Sequence, residues 1–143
     1  MNLIRQHTDY AFRILVHLAR RWPGAGVSAR RLSREEDVAY QFTCKILQKL
    51  HEAGLVDSDL GPKGGYRLSR PPEKINMAEV VVATQGPVRL NNCMLGLGRC
   101  PRQPTCPVSR KLKDLQQQID GFLTGSSLGA LAGYRSNGRY RPS

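Results

Sequence analysis

Leu50-His51-Glu52-Ala53-Gly54-Leu55-Val56-Asp57-Ser58 and, just beyond it, Gly61-Pro62-Lys63-Gly64-Gly65-Tyr66-Arg67-Leu68 decide the fold of this chain. The first stretch ends a helix at Gly54, because glycine takes the left-handed conformation that closes helices without a Cβ penalty. It then opens into a short strand, Leu55 to Ser58. The second stretch is a glycine-rich turn followed by a returning strand, Tyr66 to Leu68. Upstream, a helix is expected from about Ala39 to Glu52, with Thr43, Ile46, Leu47 and Leu50 on one face and Gln41, Cys44, Lys45 and Gln48 on the other. Ser28 caps a shorter helix that runs to about Glu36, with Leu32 facing inward, and Asp37-Val38 is a tight turn between the two. A first helix starts with Thr8 as N-cap and Asp9 in its first turn, buries Ala11, Ile14, Leu15 and Leu18, and stops at Trp22-Pro23-Gly24.

Helix, short turn, helix and hairpin in this order make a winged helix-turn-helix: a mainly α fold with a small β-hairpin wing. Such a domain places one helix in the major groove and lays the hairpin along phosphates or in the minor groove. A polar helix face or a polar hairpin alone is an ordinary surface feature. Their succession, with basic residues on both, points to double-stranded DNA. Gln41, Cys44 and Lys45, on the outer face near the start of the reading helix, are the expected base-edge contacts. Arg30, Arg31, Lys63 and Arg67 are the expected phosphate contacts. Cys44 also reads as a plain exposed residue or as a secondary redox-sensitive thiol.

The chain has 143 residues, enough for one domain or a small domain with an appended oligomerisation element. Its net charge of +11 and pI near 10.1 suit a polyanionic partner. The N-terminal apolar stretch is broken by Arg13 and His17 and does not read as a signal peptide. No apolar run approaches the ~20 residues that span a bilayer, so a cytoplasmic location with no membrane partner is expected. There is no Ser–His–Asp pattern, P-loop or paired carboxylate set, which argues against an enzyme. His7, His17 and His51 match no metal-ligand spacing.

Downstream, Asn76-Met77-Ala78-Glu79 has the spacing of a capping box and starts a short apolar helix that ends at Gly86-Pro87. Then come three of the four cysteines, Cys93-x6-Cys100-x5-Cys106, among glycines and prolines where no packed core calls for them. Three thiolates within reach of one another suit an iron–sulfur cluster. The alternatives are a thiol redox switch, or a zinc site, which normally wants four ligands at tighter spacing. From about Val108 a longer helix carries Val108, Leu112, Leu115, Ile119 and Phe122 as a narrow apolar seam, the expected homodimer interface. Its remaining face is Arg110, Lys111, Lys113, Asp114 and Gln116 to Gln118. The division expected is 1–72 as DNA-binding domain, 73–123 as cysteine loop and dimerisation helix, and 124–143 as a disordered basic tail.

Taken together, these residues resemble the cluster-sensing winged-helix repressors typified by the IscR and NsrR regulators. The resemblance runs from about Met1 to Leu123 and rests on Thr8-Asp9-Tyr10-Ala11-Phe12-Arg13, on the two stretches quoted at the outset, and on the cysteine loop. It implies a dimer of winged helices joined by a long crossing helix. It also implies a 4Fe-4S or 2Fe-2S cluster that senses nitric oxide, oxygen or iron–sulfur status. IscR-like members complete the site with a histidine three residues after the last cysteine, where this chain has Ser109. NsrR-like members use an aspartate from the partner subunit, and Asp9 occupies that position, with Arg13 four residues on. The resemblance therefore makes Cys93, Cys100, Cys106 and Asp9 the metal ligands. Leu60 stands at the wing tip where many relatives have arginine. A thiol/disulfide-switch regulator without a cluster and, from another class, a thiol oxidoreductase remain the alternatives; the latter lacks Cys-x-x-Cys.

Overall fold

Capping and glycine chemistry set the element boundaries. Ser28 accepts a hydrogen bond from the Arg31 amide at 3.1 Å and so starts helix α2, Ala29–Glu36. Asp37 ends α2 in the left-handed region, φ 53°, a conformation that Asp tolerates better than most residues. Helix α3, Tyr40–Glu52, follows at once and is closed by Gly54 at φ 75°. Strands β1, Val56–Asp59, and β2, Gly65–Leu68, pair antiparallel, with Val56 opposite Leu68 and Asp59 opposite Gly65. A backbone bridge between Val27 and Tyr66, two hydrogen bonds of 2.8 Å, ties this wing to the segment before α2. Gly65 makes the bridge possible: a Cβ there would lie 2.6 Å from the Val27 carbonyl carbon.

The computed structural model describes residues 2–61, 64–91, 93 and 100–133. Lys63 and the centre of the cysteine loop, residues 94–99, lie outside them. Helix α1 spans Gln6–Ala19 and α4 spans Met77–Gln85 behind the expected capping box: Asn76 accepts from the Glu79 amide, and Glu79 accepts from the Asn76 amide. Helix α5 covers Pro107–Gly125 and α6 covers Leu128–Ala132. The core is built by Ile14 and Leu15 of α1, Leu32 of α2, Leu47 and Leu50 of α3, and Val56 and Leu68 of the wing. Each such side chain contributes ~1.5–3 kcal/mol by leaving water.

Two expectations are corrected. Thr8 is not the N-cap of α1, a position that Arg5 holds; it is buried, and its hydroxyl meets that of Thr84 at 2.8 Å. The chain after Thr124 is not a loose tail up to Gly133. Ser127 caps α6 through the Ala130 amide, and Leu128 is fully buried. The last ten residues of the expected tail, 134–143, lie outside the described residues. Ile75, Val80 and Leu128 belong to the same cluster as Ile14 and Leu47. Among the described residues no helix is long and apolar enough to cross a membrane.

Candidate nucleic-acid interface and cysteine site

Helix α3 buries Thr43, Ile46, Leu47 and Leu50 and turns the rest of its surface outward, because these four fall on one stripe of the 3.6-residue period. Gln41 and Lys45 are exposed on it as expected, while Cys44 is half-buried. Two aromatic residues that the sequence reading passed over share the exposed surface, Tyr40 at 41% and Phe42 at 54% exposure. Their signal was present: large rings at the head of an amphipathic helix, outside its apolar stripe. The Cys44 thiol, one turn from Tyr40, raises the phenol's pKa above its ordinary value.

The expected phosphate contacts differ in how free they are. Arg31 is paired with Glu35 at 2.9 Å, one turn along α2. Its hydrogen bond holds the Glu35 carboxyl below the usual range. Arg67 is paired across the wing with Asp59 at 2.6 Å. Arg30 instead lies over the Tyr40 ring, 4.5 Å from its centroid. Leu60 at the wing turn is fully exposed.

Asp9 is exposed in the first turn of α1. It borders a groove of about 400 Å³ lined also by Phe12, Arg13, His17, Glu36 and Met77. Arg13 and His17 follow it at four-residue steps on the same face, and both reach α2: Arg13 donates to the Glu36 carbonyl, and His17 Nδ1 lies 2.8 Å from the Glu36 carboxylate. The second nitrogen of His17 is 3.0 Å from Glu35.

All four cysteines are free thiols, Cys93 and Cys106 half-buried and Cys100 exposed. Cys106 is the N-cap of α5, so the unpaired amides of that helix's first turn open at the cysteine segment. Among the described residues no three His, Cys, Asp or Glu side chains are gathered closely enough to hold a metal ion. The donor set itself fits an iron–sulfur cluster: three uncombined thiols outside the hydrophobic core.

Of the expected seam on α5, Val108, Leu115 and Phe122 are 63%, 45% and 69% exposed, and Leu112 and Ile119 are half-buried. Leu115, Ile119 and Phe122 join Leu3, Ile4 and Val88 around an apolar groove of about 400 Å³. Gln116, expected on the outer polar face, is instead buried. Its amide donates to the Val88 carbonyl at 2.8 Å and accepts from the Leu90 amide at 3.0 Å.

The sequence matches the Rrf2 family, described as iron-dependent transcriptional regulators, over residues 4–133. A putative HTH-type transcriptional regulator of Azotobacter vinelandii is 33% identical over 122 residues, covering 85% of this chain and 74% of that protein. The regulator IscR of Aliivibrio salmonicida is 31% identical, covering 85% and 72%, and NsrR of Bacillus subtilis is 28% identical, covering 78% and 77%. Among solved structures, CymR, the global cysteine regulator of B. subtilis, superimposes with a TM-score of 0.75 at 22% identity, over 95% of this chain and 100% of that one. IscR of T. potens gives 0.74 at 17% identity, over 96% and 92%. The winged-helix fold read from the sequence stands, and these relatives are named as regulators, not enzymes.

Proposed function

Because the chain belongs to the Rrf2 family of DNA-binding transcription regulators, we propose that it acts as a homodimeric repressor whose cysteine loop holds an iron–sulfur cluster. Cys93, Cys100 and Cys106 are the ligands from one subunit, and Asp9 of the second subunit completes the set. The observation that carries this reading is that Cys93, Cys100 and Cys106 are all free thiols outside the hydrophobic core, with Cys106 the N-cap of α5. A cluster bound there supplies a site that nitric oxide or oxygen can attack, the more readily with a hard carboxylate among soft thiolates. The protein works in the cytoplasm, where its DNA lies.

This chain's own residues provide the coupling. Asp9, Arg13 and His17 stand on successive turns of α1, and the latter two hold Glu36, the last residue of α2. One residue later Asp37 makes the left-handed turn that aims α3. A change in how α1 is held at Asp9 is therefore passed to the turn that sets the reading helix. The exposed seam on α5 pairs with its copy and fixes the distance between the two reading helices, which a two-fold site about 34–36 Å apart tests closely. On the DNA face, Gln41, Cys44 and Lys45 meet base edges, while Arg31, Lys63 and Arg67 carry the phosphates.

A thiol–disulfide switch without metal is the second reading. It is favoured by the same free thiols. Anaerobic reconstitution separates the two. Cys93→Ala, Cys100→Ala and Cys106→Ala should each abolish bound iron, sulfide and the broad visible absorption, while Cys44→Ala keeps them. Iron and sulfide equal to the parent in the loop variants would overturn the ligand set. A colourless parent whose DNA binding responds to thiol oxidants would establish the switch instead.

A further inference from the structure

We propose that Tyr40 positions the Arg30 guanidinium at the head of the reading helix, and that Arg30, held there, reads a guanine in the major groove. This rests on the placement of the DNA face argued above, and it reassigns Arg30 from phosphate contact to base readout.

Three observations lead to it. The first is charge balance. Arg31 and Arg67 each spend their guanidinium on a carboxylate of their own chain, Glu35 and Asp59. Arg30 has no acidic partner among the described residues and is held by a neutral ring. Its charge and its in-plane N–H donors stay available to a ligand.

The second is place. Tyr40 is the first residue of α3, and the N-terminal residues of a helix-turn-helix reading helix are those that reach base edges. Arg30 itself sits in the first turn of α2, and stacking brings its head group across to the start of α3. A phosphate contact needs charge at roughly the right distance. A guanine contact needs two donors in one plane aimed at O6 and N7. Stacking on an aromatic face restrains that plane, an arrangement with more use in base readout than in neutralising a phosphate.

The third is that the ring is itself anchored. Tyr40 stands on the outer surface of α3, whose opposite stripe, Thr43, Ile46, Leu47 and Leu50, is buried, so the helix fixes the ring's place beside Arg30. Tyr40 is thus a positioning residue, and Arg30 is the residue that touches DNA.

The test is operator binding by the full-length dimer against a library randomised within one half-site, with each variant's thermal transition measured to confirm folding. Arg30→Lys keeps the charge and loses the fork. It should lower the preference for guanine at one position by about 5- to 100-fold while leaving the salt dependence unchanged. Tyr40→Leu should lower the same preference, and Tyr40→Phe, which keeps the ring, should retain most of it. In a Tyr40→Leu background, Arg30→Lys should add little. The inference is overturned if guanine preference survives Arg30→Lys, or if Arg30→Ala weakens all sequences alike and lowers the salt slope by about one with Tyr40→Leu silent, the signature of a phosphate contact. Lys45→Ala separates this failure from a wider one. If it weakens binding and the Arg30 and Tyr40 variants do not, only the guanine reading falls. If none of the three changes affinity, the DNA face has been placed wrongly and both fall.

Discussion

Gln116 and Thr8 show what one residue's chemistry hides from a sequence. In the run Gln116-Gln117-Gln118 nothing local distinguishes the first glutamine, yet it alone turns inward and satisfies the Val88 carbonyl and the Leu90 amide. Gln116→Leu fills similar space and leaves both backbone groups without that partner. It should lower the unfolding free energy by ~1–3 kcal/mol in urea titrations. Gln117→Leu, on the exposed side of the same helix, should stay within ~0.5 kcal/mol of the parent. Equal midpoints for the two would mean that the Gln116 contacts contribute nothing. Thr8 was misassigned for the same reason: its hydroxyl partner, Thr84, lies 76 positions away. The Asn76–Glu79 capping box, whose partners are three residues apart, was legible because its logic is local.

At the scale of elements, α2, α3 and the wing were readable because periodicity, a serine cap and glycines at Gly54 and Gly65 agree on the same boundaries. Helix α6 was not. Five residues of Leu, Gly and Ala give no period to detect, and a single turn is unstable until tertiary packing holds it. What holds it is Leu128, buried among α1 residues and Ile75. Of the expected apolar seam on α5, Val108, Leu115 and Phe122 face outward in the single chain, while Leu112 and Ile119 are half-buried. A lone Phe122 at 69% exposure proves little, but with Val108 and Leu115 it forms a row that the chain itself does not cover. With that row as the proposed dimer interface, the parent should sediment as a dimer and the double change Leu115→Asp and Phe122→Asp as a monomer. Its helical content should stay near the parent's, since neither side chain is in the core. A variant that still sediments as a dimer would place the interface elsewhere.

For the whole molecule, the sequence suggested a reading domain followed by a sensing segment, whereas the core joins them. Val80 of α4 and Leu128 of α6 belong to one cluster with Ile14 and Leu47, so the helix that leads into the cysteine loop rests on the helices that present α3. Packed cores transmit small displacements instead of absorbing them, and this gives a physical route from the cysteine segment to the reading helix. The sequence could show the thiols and the reading helix; it could not show that one core ties the two halves together, because those contacts form only in the folded chain. Coupling between the cysteine segment and the reading helix is read out by operator affinity of the anaerobically reconstituted protein before and after nitric oxide, with the stripped protein alongside. Loaded and treated forms should differ by ~5- to 150-fold in affinity, reconstitution should restore the starting value, and Asp9→Ala should shrink the difference without changing the oligomeric state. Identical affinity of the loaded, treated and stripped forms would contradict this coupling.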